Sequence, residues 1–355
     1  MKKIFALILA MALAVSLMTG CVATTVVIGN CTCPTGSHNT TVVPAEGAVK
    51  TGLAVSTKIS DSTSATAEKA GAAKYDVTLA AVLVNDEGII VDCVIDSIPA
   101  TINFDANGQI TSDLSMAVPT KNELGENYGM VAYGKAKAEW DAQVAAVARY
   151  AIGKTVEQLK NGDIDMVTGM AKEGTVLSTS ATIYLAGYVY AIEAAVNNAQ
   201  HLGAQAGDEL VLATLNTVGS STSATAEKAG TIQLDADITA LTKANGRITS
   251  CYIDSLQAKI SIDATGTITT DLSAAVKTKN ELGENYGMVA WGKAKSEWNV
   301  QAAEFAAYVT GKTAAEVAGI AITESTKPAD GTDLATTVTI SIGGFQALIA
   351  KAMQE

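Results

Sequence analysis

Histidine is nearly absent from this chain: two occur in 355 residues, His38 and His201, and neither lies in a patterned segment. That inventory removes histidine-based acid–base catalysis, Ser–His and Cys–His nucleophilic pairs, and multi-histidine metal sites. Cysteine is sparse too, with five residues too scattered for a disulfide framework and no Cys-x-x-Cys-His run for haem attachment. Aromatic residues make up 5%, so a core must lean on aliphatic side chains and alanine. Positive charge is in deficit, 24 Lys and Arg against 36 Asp and Glu, for a formal charge of −12. The acidic balance disfavours nucleic acid and anionic lipid surfaces as partners and favours solubility. The longest apolar run, Ile4 to Leu17, is too short for a comfortable membrane span.

What the chain does have is the same text twice. Residues 120–140 read TKNELGENYGMVAYGKAKAEW and 278–298 read TKNELGENYGMVAWGKAKSEW, differing only at positions 133/291 and 138/296. A second block, STSATAEKAG, stands at 62–71 and again at 221–230. The spacing of about 158 residues is one ordinary domain. The expected organisation is two tandem copies, 49–200 and 206–355, with chain enough for two cores. Any site should be present twice or have decayed in one copy.

The start of the chain is a processing segment. Lys2 and Lys3 precede the apolar run, which ends in Leu17-Met18-Thr19-Gly20-Cys21. That ending resembles a bacterial lipobox. It implies a signal peptide over 1–20, lipidation at Cys21, and a mature protein held by membrane lipid on the outer face of the cytoplasmic membrane. Residues 21–48 carry Thr, Asn, Gly, Ser and two prolines without hydrophobic period, as a tether would. Cys31, Cys33 and His38 fall in that stretch but lack the spacing of a metal site.

Within each copy the pattern is strands first. Val77, Leu79 and Ala81 alternate with polar or small neighbours, Asn85-Asp86-Glu87-Gly88 turns the chain, and Ile90 to Ile95 returns, with Cys93 on the core side. The second copy turns at Asn245-Gly246, the strongest short hairpin signal. Cys251 is the counterpart of Cys93. A further hairpin turns at 105–108 and at 263–266. The expectation is an antiparallel meander with one wet face. A helix follows, with Trp140, Val144, Val147 and Ala151 on one face and Trp298, Ala302, Phe305 and Val309 matching them. Gly153 and Gly311 stop it. Thr155 with Gln158, and Thr313 with Glu316, form capping boxes for a short second helix. Each copy closes with a Thr-rich stretch and an Ala-rich terminal helix, which makes an α+β fold.

That order resembles the extracytoplasmic FMN-binding domain of flavin-bearing respiratory subunits and flavinylated bacterial lipoproteins. In that family a D-x-x-[ST]-G-A-T motif precedes the terminal helix, and its last Thr is joined to FMN by a transferase. The first copy offers Val176-Leu177-Ser178-Thr179-Ser180-Ala181-Thr182, keeping the Thr179, Ala181 and Thr182 positions but replacing Gly by Ser180 and lacking the Asp. The second offers Asp333-Leu334-Ala335-Thr336-Thr337-Val338-Thr339, keeping Asp333, Thr336 and Thr339 but with Thr337 for Gly and Val338 for Ala. The resemblance implies Thr182 as the better flavin acceptor and Thr339 as the poorer one, with FMN as cofactor and an FMN transferase and a membrane electron donor as partners.

In the long repeated block, Tyr128, Met130, Tyr133 and Trp140, and Tyr286 and Met288 in the second copy, offer flat or polarisable surface to an aromatic ligand. Gly125, Gly129 and Gly134 permit close approach, and Lys121 and Lys135 can meet a phosphate. Glu123, Glu126 and Glu139 are expected to be solvated, and the STSATAEKAG blocks to be solvated lead-ins to a strand. The functional expectation is a surface lipoprotein that binds FMN for electron transfer, an electron carrier more than a catalyst. The alternative is a non-redox surface binding or adhesion module that reuses the domain.

Overall fold

The structure, a computed structural model, describes residues 47–354, all within one compact unit. The signal peptide, Cys21, Cys31, Cys33, His38 and almost all of the tether lie outside the described residues. The fold is α+β, with one order of elements run twice. The first half has β1 (Lys50–Lys58), β2 (Gly71–Val84) and β3 (Ile90–Phe104), then α1 (Lys121–Leu124), a 3-10 turn at Gly125–Tyr128, α2 (Trp140–Ala151), α3 (Val156–Asn161), α4 (Val176–Ser180) and α5 (Ala186–Asn197). The second half has β4 (Glu209–Thr217), β5 (Gly230–Ala244) and β6 (Arg247–Ile262), then α6 (Lys279–Leu282), a 3-10 turn at Gly283–Tyr286, α7 (Trp298–Val309), α8 (Ala314–Ala318), α9 (Leu334–Thr337) and α10 (Gly343–Ala352).

Each half builds an antiparallel three-stranded sheet, in the orders β1-β2-β3 and β4-β5-β6. The turns behave as the sequence predicts. Asn245 and Gly246 both take positive φ, 50° and 74°, as a two-residue hairpin of the favoured twist requires. The Asn85 side chain accepts from the Ile89 amide at 2.8 Å. Both predicted capping boxes form, and Gly153 and Gly311 follow their helices in the left-handed conformation at φ 80° and 85°. β1 and β4 were not foreseen. They are edge strands covered on both faces along part of their length, so alternation in KTGLAVSTK is weak.

The expected wet face is mostly covered. Along β2, Ala73, Tyr75, Val77, Leu79, Ala81 and Leu83 point one way and meet the corresponding face of the second sheet, including Ile232, Leu234, Ala236 and Ile238. Ala80 and Val82 point the other way and meet α2 and α5. The layers therefore run helices, sheet, sheet, helices. Two cores lie between each sheet and its own helices, and a third, shared by both halves, lies between the sheets. Helices cover only the part of the outer face near the 85–88 turn. Beyond it, Lys74, Asp76, Thr101 and Asn103 are exposed.

The STSATAEKAG blocks are not solvated lead-ins; each clamps the other half. Ala65 donates its amide to Gly266 O at 2.8 Å, and Ala224 donates to Gly108 O at 2.9 Å. Ser64 Oγ accepts from Ile268 N at 2.9 Å, and Ser223 Oγ from Ile110 N at 3.0 Å. The hairpin tip at 105–108 thus docks on the second block and the tip at 263–266 on the first, the reciprocal pattern of a two-fold interface. Gly108 and Gly266, at φ 67° and 68°, press on the facing backbone, where a Cβ would collide. Tyr75 adds a buried bond from its hydroxyl to Ile232 O at 2.7 Å.

Candidate functional site

The uncovered outer face of the first sheet floors an open cleft of about 530 Å³. Ser56, Lys58, Asp76 and Thr78 form the floor. One wall comes from the long repeated block, Tyr128, Met130 and Trp140; the other is Ile183, Tyr184, Gly187 and Tyr188, beside the start of α5. Trp140 and Tyr188 meet edge to face at 5.9 Å and 73°, and the indole Nε1 donates to the Tyr188 hydroxyl at 2.9 Å. Burial pushes the Tyr188 phenol up to about 12, so it stays neutral.

The block is anchored from within. Lys121 is buried, its ammonium 5.2 Å from the Tyr128 ring centre and 5.0 Å from that of Trp140, with Asp76 at 3.8 Å. It is committed to these rings and does not reach out as a free phosphate ligand. Lys279 repeats the arrangement over Tyr286 and Trp298 at 5.3 and 4.8 Å.

Two of the three glutamates assigned to solvent have structural work. Thr120 and Glu123 form a reciprocal capping box on α1. Burial favours the neutral Glu123 carboxyl, but its bonds to Lys351 and to Thr120 outweigh that and hold it below its usual range. Glu139 receives the amides of Met130 and Val131 at 2.8 and 2.9 Å. Asp96 ties the block to β3 by accepting from Ser97 N and Asn122 N at 2.7 and 3.1 Å. Asp254 does the same with Ser255 and Asn280. Burial raises both carboxyls, Asp254 to about 6.

The Thr-rich motif folds as the short helix α4, a turn, and α5. Thr179 and Ser180 turn their hydroxyls back to Val176 O, and Ala181 is buried. Thr182 is exposed, but its amide and hydroxyl both donate to Gln143 Oε1, at 2.8 and 3.2 Å. Thr339 meets Gln301 identically, at 2.7 and 3.1 Å. Thr336 donates to Asp333 O at 2.6 Å, while the Asp333 side chain makes no capping bond. Gln143 and Gln301 are each 1% exposed, and neither stood out in the sequence. The signal was present: a polar residue at the same place on an otherwise apolar helix face in both copies.

The structure therefore brings Tyr128 and Met130 to one cleft with the residues directly after Thr182. Tyr133 stands apart, 88% exposed. In the second half Tyr286 and Met288 pack against the core under α7 and α10, and the equivalent floor differs. Leu215 stands where Ser56 does and is packed into that core. Asp237 stands for Thr78, so close to Gly344 that an added Cβ would sit 3.1 Å from its Oδ2. Among the described residues no group of three or more His, Cys, Asp or Glu is placed to hold a metal ion. Comparison of the chain with known protein families, curated proteins and solved structures gave no match.

Proposed function

We propose that this chain is a lipid-anchored surface protein whose first copy binds FMN for electron transfer outside the cytoplasmic membrane. The observation that carries the proposal is the aromatic cleft whose wall begins at the residue after Thr182. Its size suits a small-molecule site, and Tyr128, Tyr184 and Tyr188 supply flat surface for a tricyclic ring, with the buried Trp140 backing Tyr188. At the phosphate end the fit rests on the exposed Thr182 and on Gly187, which leaves room in the first turn of α5; Lys58 in the floor is paired with Asp61 at 2.8 Å.

A bound flavin would supply the redox chemistry. The chain's own residues would clamp the ring, exclude water from one face, and fix the threonine turn through Gln143. The second copy, with Leu215 and Asp237 in the floor, is the weaker site or none. The test is titration of FMN into the chain carrying Cys21→Ser, followed by flavin fluorescence quenching. Tyr188→Ala should weaken binding roughly tenfold, the worth of one aromatic contact, while Phe345→Ala leaves it unchanged. Absence of quenching, or equal losses from both variants, would overturn the proposal.

A further inference from the structure

Residues 129–139 and 287–297 form a matched pair of knuckles on the surface. Tyr133 is 88% and Trp291 86% exposed, and Val131 and Val289 are each 46% exposed. These are apolar side chains held out by a fixed backbone. Besides the Glu139 clamp, Tyr133 N donates to Gly129 O at 2.9 Å and Ala136 N to Met130 O at 3.0 Å. The second knuckle repeats every bond: Glu297 takes Met288 N and Val289 N at 2.8 and 2.9 Å, Trp291 N meets Gly287 O and Ala294 N meets Met288 O. Lys135 and Lys293 both sit at φ 54°, a region non-glycine residues enter at a cost. Each aromatic ring lies so close to Gly129 or Gly287 that a Cβ there would strike it.

Charge singles out the same segments. Between Glu126 and Glu139, and between Glu284 and Glu297, the only charged side chains are Lys135 and Lys137, and Lys293 and Lys295. The chain as a whole is at −12, but at physiological salt charges beyond roughly 8 Å are screened. All four of these lysines are exposed.

We propose that the knuckles are membrane-docking elements, each laying its aromatic ring and valine into the interface of an anionic bilayer with its lysines on the headgroups. Tyr and Trp replace one another at 133/291, and these are the side chains favoured at the membrane–water boundary, where nearby lysines add attraction to anionic lipid. The proposal uses the lipid-anchor reading for one point only. The stretch from Cys21 to Gly47 spans at most about 90 Å even when extended, so an anchor at Cys21 would keep the knuckles near a bilayer.

The test uses the chain from residue 21 with Cys21→Ser, which cannot be lipidated, so success or failure is independent of the anchor. Of the three tryptophans, Trp140 and Trp298 are buried and Trp291 is not. Its emission therefore reports on the second knuckle. With phosphatidylcholine vesicles containing phosphatidylglycerol, the protein should co-sediment, with Trp291 shifting to the blue and being quenched by brominated lipid. Replacing all four lysines by Gln should lower partitioning by about 25-fold if one knuckle touches the bilayer and by several hundredfold if both do, at about fivefold per lysine lost from the surface. Tyr133→Ala with Trp291→Ala should abolish it, circular dichroism confirming an intact fold. No binding to anionic vesicles, equal binding to phosphatidylcholine alone, or binding unchanged in either variant would overturn the proposal. Whether Cys21 is lipidated is read separately, from the intact mass of membrane-extracted wild-type protein.

Discussion

The two halves differ most where their sequences are least repeated, and agree where the text is verbatim. In both, a lysine lies over a Tyr and a Trp and a glutamate clamps two amides, and outside the verbatim text a glutamine holds a threonine turn. These constant residues make the frame. Only part of the cleft lining has diverged: Asp76, Tyr128, Met130, Trp140, Ile183 and Gly187 keep their residue type in the second half. Ser56, Thr78, Tyr184 and Tyr188 correspond to Leu215, Asp237, Ser341 and Phe345. One change is compensated. Tyr184 lies over Gly169, and their counterparts Ser341 and Thr326 hydrogen-bond to each other instead. Divergence at the cleft is thus confined to Ser56, Lys58, Thr78, Tyr184 and Tyr188.

The largest effect should come from breaking the frame. Trp140→Ala and Trp298→Ala each remove a buried indole and expose the stacked lysine, for about 3–5 kcal/mol. Because the two halves share the core between their sheets, each should lower a single cooperative urea transition. Separate transitions for the halves would contradict the shared core.

Next comes the carboxylate that ties the repeated block to its strand. The Asp254 carboxyl is raised to about 6 from an ordinary 3.8, chiefly by burial, so the folded state favours its neutral form. Its contribution is most favourable below about pH 4 and is lost as pH rises through about 6. Asp254→Asn can accept the same two amides without charge. Relative to wild type the variant should gain up to about 3 kcal/mol between pH 4 and pH 8, measured by denaturation at each pH. A pH-independent difference would refute this. Asp96 is shifted in the same direction, so Asp96→Asn should show the same sign.

A smaller effect tests whether the threonine turns are built alike. Gln143→Leu leaves the Thr182 amide, and Gln301→Leu the Thr339 and Ile340 amides, without an acceptor, for about 1–3 kcal/mol per amide. The stability loss should be at least as large for Gln301→Leu, but only Gln143→Leu should also weaken FMN binding.

Much of this fold was legible. Hairpins announced by Asn-Gly or Asp-x-x-Gly, helices with an apolar face, and Thr-x-x-Gln/Glu caps depend on neighbours in sequence. What was not legible depended on the other half of the chain. Tyr75 and Phe104 gave no sign that their face would be buried by a second sheet, and Ser64-Ala65 looks like any polar loop until Gly266 is seen against it. Thr120 with Glu123 is different: its spacing is that of a cap and the bonds are local, so the cap was legible where Glu123 was expected to be solvated. In the site, Tyr128 and Met130 were visible by their chemistry, whereas Asp76, Lys58 and Tyr188 come together only through sheet geometry.

The most direct measurement is the intact mass and peptide map of the chain co-expressed with a bacterial FMN transferase. One FMN adduct is expected, on the peptide bearing Thr182, lost in Thr182→Ala and absent from the peptide bearing Thr339. An adduct on Thr339 instead, or a chain that leaves the cell unmodified and also fails to quench free FMN, would contradict the proposed function.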